Sequence, residues 1–250
     1  MRKKTDLDAV RRTAIMFLYL TPEPVKAFPV FVTHPFFDNS VVMRKTKSGF
    51  ESVDILAEPE KFEEVRIQLR EELKQADLDR IFFRMLTKYH LAFLKHVKMY
   101  MSKDDFEYHL AYAWVASENP NQDVNVSVTE LIQWFSAADR RNLMGEDELG
   151  YYNALPDKVK IYRGVAVGRA ERQGLSWTCN RETAEWFSHR FDTKTKHGYI
   201  IEGEVDKTDI FAYLNSRGED EILCNSKKVR IERRIYHDQG QEVPYRVRSR

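Results

Sequence analysis

Apolar positions recur at helical spacing through most of the first 150 residues and switch to strand-like alternation after Pro156. Residues 6–20 carry an amphipathic repeat that ends at Thr21-Pro22-Glu23-Pro24, where proline removes a backbone donor and stops a helix. Residues 28–56 are rich in Phe and Val, with turn residues at Asp38-Asn39-Ser40 and Lys47-Ser48-Gly49. They read as short strands or an apolar loop region. From Glu60 to Met101, apolar residues such as Leu69, Leu73, Ala76, Ile81, Leu91, Leu94 and Val97 return near the 3.6-residue period. Asp77 or Asp79 is placed to restart the helix. Ser102 with Asp105 predicts an N-cap for a helix ending near Ala116, and Asn119-Pro120-Asn121 predicts a loop. Ser127 and Glu130 form a capping-box pair at the head of a helix that stops at Gly145, and a further helix runs from Glu146 to Asn153.

Beyond Pro156 the period becomes two. Residues 158–164 alternate charged and apolar side chains, as a half-buried strand does. Strands are expected again at 174–178, 198–205 and 221–225, residues 227–237 alternate once more, 209–214 is short and apolar, and one helix over 180–191 is capped by Asn180. The fold class expected is α+β: a mostly helical N-terminal region over 1–155, then a small β-rich domain over 156–250.

Composition narrows the function classes. With 250 residues, 42% of them hydrophobic, the chain can bury a core without metal or disulfide staples. Net charge is +1, so no global field recruits nucleic acid or a membrane surface. Residues 1–150 hold 21 Lys+Arg against 24 Asp+Glu, and 151–250 hold 19 against 15. The basic excess lies in Lys227, Lys228, Arg230, Arg233, Arg234, Arg246, Arg248 and Arg250. The two cysteines, Cys179 and Cys224, are too few for a secreted disulfide framework and read as buried free thiols. No run of about 20 apolar residues spans a bilayer, and Arg11 and Arg12 interrupt any leader-like stretch. A cytoplasmic protein without a membrane partner is expected.

Three fragments carry candidate chemistry: Tyr162-Arg163-Gly164 at a strand end, Ser176-Trp177-Thr178 on the next strand, and Glu219-Asp220-Glu221 running from a loop into a later strand. An arginine can grip a pyrophosphate bidentately and does not deprotonate. A glycine lets backbone approach a ligand. Alternation puts Ser176 and Thr178 on one face and Trp177 on the other, in the core. The same alternation puts Glu219 and Glu221 on one face. Three adjacent acids could hold a divalent cation, but their faces alternate and no further acidic cluster accompanies them. The seven histidines show no ligand spacing, and His189 reads as a surface residue, so no metal is expected. Neither a GxGxxG turn nor a P-loop is present.

The order of these fragments, over roughly residues 157–236, resembles the arginine–serine–glutamate class of mono-ADP-ribosyltransferases in its small bacterial and phage toxin-like form. The resemblance implies two packed antiparallel or mixed sheets with a cleft for NAD, which is consumed as substrate. It implies that Arg163 anchors phosphate, that Gly164 faces the nicotinamide amide, and that Ser176, supported by Thr178, braces the pocket floor. It further implies that Glu221 bonds the ribose 2′-hydroxyl and stabilises the oxocarbenium-like state, while Glu219 orients an arginine acceptor. The connection from Arg163 to Ser176 is compact, so the front region is expected to wall the cleft or recognise the target. An arginine on a target protein is the favoured acceptor. Modification of a nucleobase in RNA or DNA (which the basic tail fits), NAD glycohydrolysis and a catalytically dead binding module of the same fold are the alternatives. By analogy of fold alone, a toxin or phage effector with an inhibitor or antitoxin partner is the expected setting.

Overall fold

A computed structural model describes residues 3–169 and 174–236, and 242–244 as backbone. The fold is mixed α and β. The chain forms two compact units, Met1–Phe106 and Glu107–Arg250, and the division falls inside a helix with no breaker in its sequence.

In the first unit, α1 (Leu7–Leu18) is followed by two hairpins, β1 (Glu23–Val25) with β2 (Phe28–Thr33), and β3 (Val41–Thr46) with β4 (Gly49–Asp54). Then come α2 (Pro59–Gln75), α3 (Leu78–Arg84) and α4 (His90–Val97). The long helical pattern of 60–101 is broken twice. Asp77 accepts from the Arg80 N–H and restarts the chain as α3, and short 3₁₀ turns flank α4. Helix α1 packs on α2, α3 and α4, with Leu18, Phe82, Phe93 and Leu94 sealed from solvent.

Helix α5 (Lys103–Ala116) crosses the division, and the Asp105 N–H donates to Ser102 Oγ at its start. In the second unit follow α6 (Val128–Ala137), α7 (Arg140–Leu143) and α8 (Glu146–Ala154). The expected capping box is present at α6, with Ser127 and Glu130 each bonding the other's backbone N–H. The helices between 107 and 154 therefore group with the sheet that follows them, although the hydrophobic period changes only at Pro156.

That sheet contains β5 (Lys158–Val165), β6 (Ser176–Thr178), β7 (Tyr199–Asp206), β8 (Ile210–Leu214), β9 (Glu221–Cys224), β10 (Arg230–Tyr236) and β11 (Glu242–Pro244) in the order β11-β10-β7-β5-β6-β9-β8. Every pairing is antiparallel. The two packed sheets expected here are instead two arms of one hydrogen-bonded sheet. The arms meet through a single residue pair, Tyr162↔Thr178, while β5 pairs with β7 over eight residues. Helix α9 (Arg181–His189), capped by Asn180, covers β5 and β7. Because β5 and β6 share one rung, the sheet opens there, and the opening positions the site. Among the described residues no helix is long and apolar enough to cross a membrane.

Candidate active site

A cleft of about 1210 Å³, counting its open mouth, lies along the parting of β5 and β6. Arg163, Gly164, Ser176, Thr178, Glu219 and Glu221 all line this cleft.

Glu221 opens β9, opposite Thr178 and beside Ser176. Its Oε1 accepts from the Ser176 hydroxyl and, at 3.1 Å, from the Trp114 indole N–H. Among the described residues no group donates to Oε2. Burial pushes the Glu221 carboxyl above the usual glutamate range; the two donors and Arg217 pull it down, and Glu219 adds to the rise. A carboxylate fixed by one oxygen in the lining of a cleft is suited to meet positive charge that develops on a ligand.

Arg163 sits on β5 where the ladder to β6 ends. Its Nη1 donates to the Ser176 main-chain carbonyl at 3.0 Å, and its guanidinium lies 5.9 Å from the Trp177 ring centroid. Burial lowers its pKa, while Cys224, Glu221 and Tyr199 oppose that fall. The group stays cationic, as arginine does in proteins. One guanidinium thus bridges the two arms and presents its charge to the cleft.

Gly164 lines the cleft, but the space its missing side chain leaves is filled by protein. A Cβ there would lie 2.1 Å from the Ala184 carbonyl oxygen and 2.6 Å from the Ser188 nitrogen. The glycine therefore permits α9 to press on β5. Thr178 is buried and acts on the acidic turn: its hydroxyl donates to the Glu219 carbonyl at 2.8 Å and accepts from the Asn180 N–H at 2.9 Å. Trp177 is buried and donates to Ser226 Oγ at 3.0 Å.

Glu219 and Glu221 face one cleft, but strand alternation does not put them there. Residues 215–220 form a turn, and Asp220 between them has φ +47°, a left-handed conformation that Asp tolerates better than most residues. Its N–H donates to Asn215 Oδ1 and its carbonyl accepts from the Cys179 N–H. Its carboxylate accepts from the Tyr213 hydroxyl at 2.7 Å. Asp220 thus turns away from its two neighbours, and the three acids do not converge. Among the described residues no set of His, Cys, Asp or Glu gathers at metal-binding geometry.

Several cleft residues carry no sequence motif. Trp114, at the end of α5, is recognisable only as a core residue, and it is one, 1% exposed and edge-on to Phe135. Glu118, Asn119, Pro120, Asn121 and Gln122 form one wall. Asn121 Oδ1 accepts from the Leu175 N–H at 2.7 Å, and Gln122 Oε1 accepts from Arg169 at 2.6 Å. Arg217 reaches the site from the acidic turn. His189 lies outside the cleft lining, its Nδ1 2.7 Å from Asp192.

The basic stretch is partly neutralised. Arg230 pairs with Glu204 and Glu232, Arg233 with Glu202, and Lys228 stands 3.9 Å from Asp209. Arg246, Arg248 and Arg250 lie outside the described residues. Both cysteines are free; Cys224 is buried, its thiol pushed up to about 12 by desolvation, whereas Cys179 is half-buried rather than fully enclosed. No protein-family model, curated protein or solved structure matches the chain.

Proposed function

We propose that the chain is an NAD-dependent mono-ADP-ribosyltransferase that moves ADP-ribose to an arginine side chain on a protein, in the setting of a cytoplasmic toxin or phage effector. The observation that carries this reading is the half-held carboxylate of Glu221. Ser176 and Trp114 fix Oε1, no described residue donates to Oε2, and Glu221 lines the same cleft as Arg163.

Cleavage of the nicotinamide–ribose bond builds positive charge on the ribose. Glu221 opposes that charge and takes a hydrogen bond from a ribose hydroxyl. Arg163 holds the negative pyrophosphate, because its fork matches phosphate oxygens and its charge survives burial. Nicotinamide leaves with the electron pair of the broken bond and becomes neutral. Glu219 lines up the incoming guanidinium and accepts its proton. Arg230 and Arg233 of the basic stretch are paired with acids, which supports the protein acceptor over a nucleic-acid backbone.

The test is labelled NAD with purified protein and with host lysate split into protein and RNA fractions. Nicotinamide release with label on arginine is expected. Label on RNA or DNA moves the acceptor to a nucleobase, release without label makes the chain a glycohydrolase, and no consumption of NAD removes the reading altogether.

A further inference from the structure

The acidic turn already holds an arginine. Arg217 Nη2 lies 3.1 Å from Glu219 Oε1, and both residues line the cleft that contains Glu221. The other guanidinium nitrogen, Nη1, donates to the carbonyls of Val115 at 3.1 Å and Ser117 at 3.5 Å, at the C-terminal end of α5. A cation at a helix C-terminal end is favoured by the helix dipole. One end of the guanidinium is therefore anchored and the other is presented to the first glutamate of the pair. Two left-handed residues flank Glu219, Gly218 at φ +68° and Asp220 at φ +47°, and they fold the turn so that residues 217 and 219 meet. The Arg217 side chain remains 41% exposed, so a ligand in the cleft can reach it.

We propose that Arg217 is the chain's own acceptor: the geometry points to self-modification in cis, with ADP-ribose attached to Arg217 Nη2. This rests on the transferase reading of the same cleft. The bond between the ribose C1′ and the nicotinamide nitrogen breaks, and its electron pair neutralises nicotinamide. Glu219 takes a proton from Nη2, whose lone pair forms the new bond to C1′. The substituted guanidinium keeps its charge, and the proton passes from Glu219 to solvent. No oxidant or further reactant is needed. The product stays tethered to a turn that lines the cleft.

The experiment uses the full chain alone with NAD, followed by intact-mass measurement, fragmentation that preserves the side-chain adduct, and a parallel assay of nicotinamide. One ADP-ribose per chain at Arg217 is expected, forming at a first-order rate that does not change over a tenfold dilution of protein. Arg217→Lys keeps a cation beside Glu219 but offers no guanidinium, and modification of that peptide is expected to fall at least tenfold. Nicotinamide release with Arg217 unmodified overturns the inference and leaves the transferase reading standing. A rate that scales with protein concentration overturns the cis geometry. Absence of any nicotinamide release overturns both.

Discussion

Two enclosed histidines of the first unit and two enclosed carboxyls of the second are held in different ways. In the first, His34 and His90 are sealed in the interior and settled on the main chain. His34 Nε2 lies 3.2 Å from the Leu18 carbonyl and its Nδ1 accepts from the Phe36 N–H; His90 Nε2 lies 2.9 Å from the Phe82 carbonyl. Burial drives the His34 pKa down to about 4, so the ring is uncharged at neutral pH. In the second unit two enclosed carboxyls are held differently from each other. Glu202 is 3% exposed and held between Lys160 and Arg233. Burial opposes its charge, the two cations outweigh burial, and its carboxyl ends below the usual range. Glu221 has two neutral donors in direct contact and no cation there, and it ends above that range. A charge matched on the spot belongs to the scaffold. A charge left half-satisfied at an open cleft is available to a ligand.

The largest effect expected from breaking this contrast is at Glu221. Glu221→Gln should lower NAD cleavage about a thousandfold, the scale seen when one preorganised electrostatic group is removed from an active site. The melting temperature should hold, because the amide oxygen still accepts from Ser176 and Trp114. Glu202→Gln should do the reverse. It should cost about 1–2 kcal/mol of stability, between an exposed and a fully buried pair because Lys160 and Arg233 reach solvent, and it should leave NAD turnover within twofold. Thermal melts and nicotinamide assays on both variants decide the matter, and similar profiles for the two would erase the distinction.

A second effect separates the units by pH. His34 has a folded pKa of about 4 against the ordinary value of 6.5, so the unfolded chain binds the proton first. The stability it contributes is complete above pH 6.5 and is lost as pH falls from there through about 4, a total of roughly 3 kcal/mol. Hydrogen exchange should therefore speed up across the core of residues 3–106 as pH drops through this window, after correction for intrinsic rates. His34→Gln should flatten the dependence. An unchanged slope in that variant would remove His34 as its cause.

What could be read from the chain alone follows the same divide between local and tertiary causes. The caps at Asp77, Ser127 and Asn180 are local: a side chain meets a backbone N–H two or three residues away, and sequence spacing carries that contact. The cleft residues Arg163, Ser176 and Glu221 stand in short motifs on strands, and pairing Ser176 with Leu223 and Thr178 with Glu221 brings their strands side by side. Gly164 was read for the ligand it could admit, while its packing partner, α9, is set by the tertiary fold. The orientation of Glu219 came from Asp220 in a left-handed turn, which alternation cannot foresee. The division inside α5 is hidden because one uninterrupted helix runs through it.

Trp114 is the sharpest case, since its hydrophobic burial was legible and its indole N–H contact was not. The residue sits 107 positions before Glu221, and only the register of α5 against the sheet aims its N–H at Oε1. Trp114→Phe keeps an aromatic ring against Phe135 and removes the donor. Ser176 still holds the same oxygen, so the loss should lie at the low end for a hydrogen bond to a charged group, about 1.4 kcal/mol or tenfold in kcat. The donor favours the ionised carboxylate, so its removal should raise the Glu221 pKa further. The acid limb of the rate profile, already above the ordinary glutamate range, should move to higher pH. Ser176→Ala should move it the same way. A Trp114→Phe enzyme with lower kcat and an unmoved acid limb would mean that the tryptophan only fills space, and the contrast between matched and half-held carboxylates would then rest on Ser176 alone.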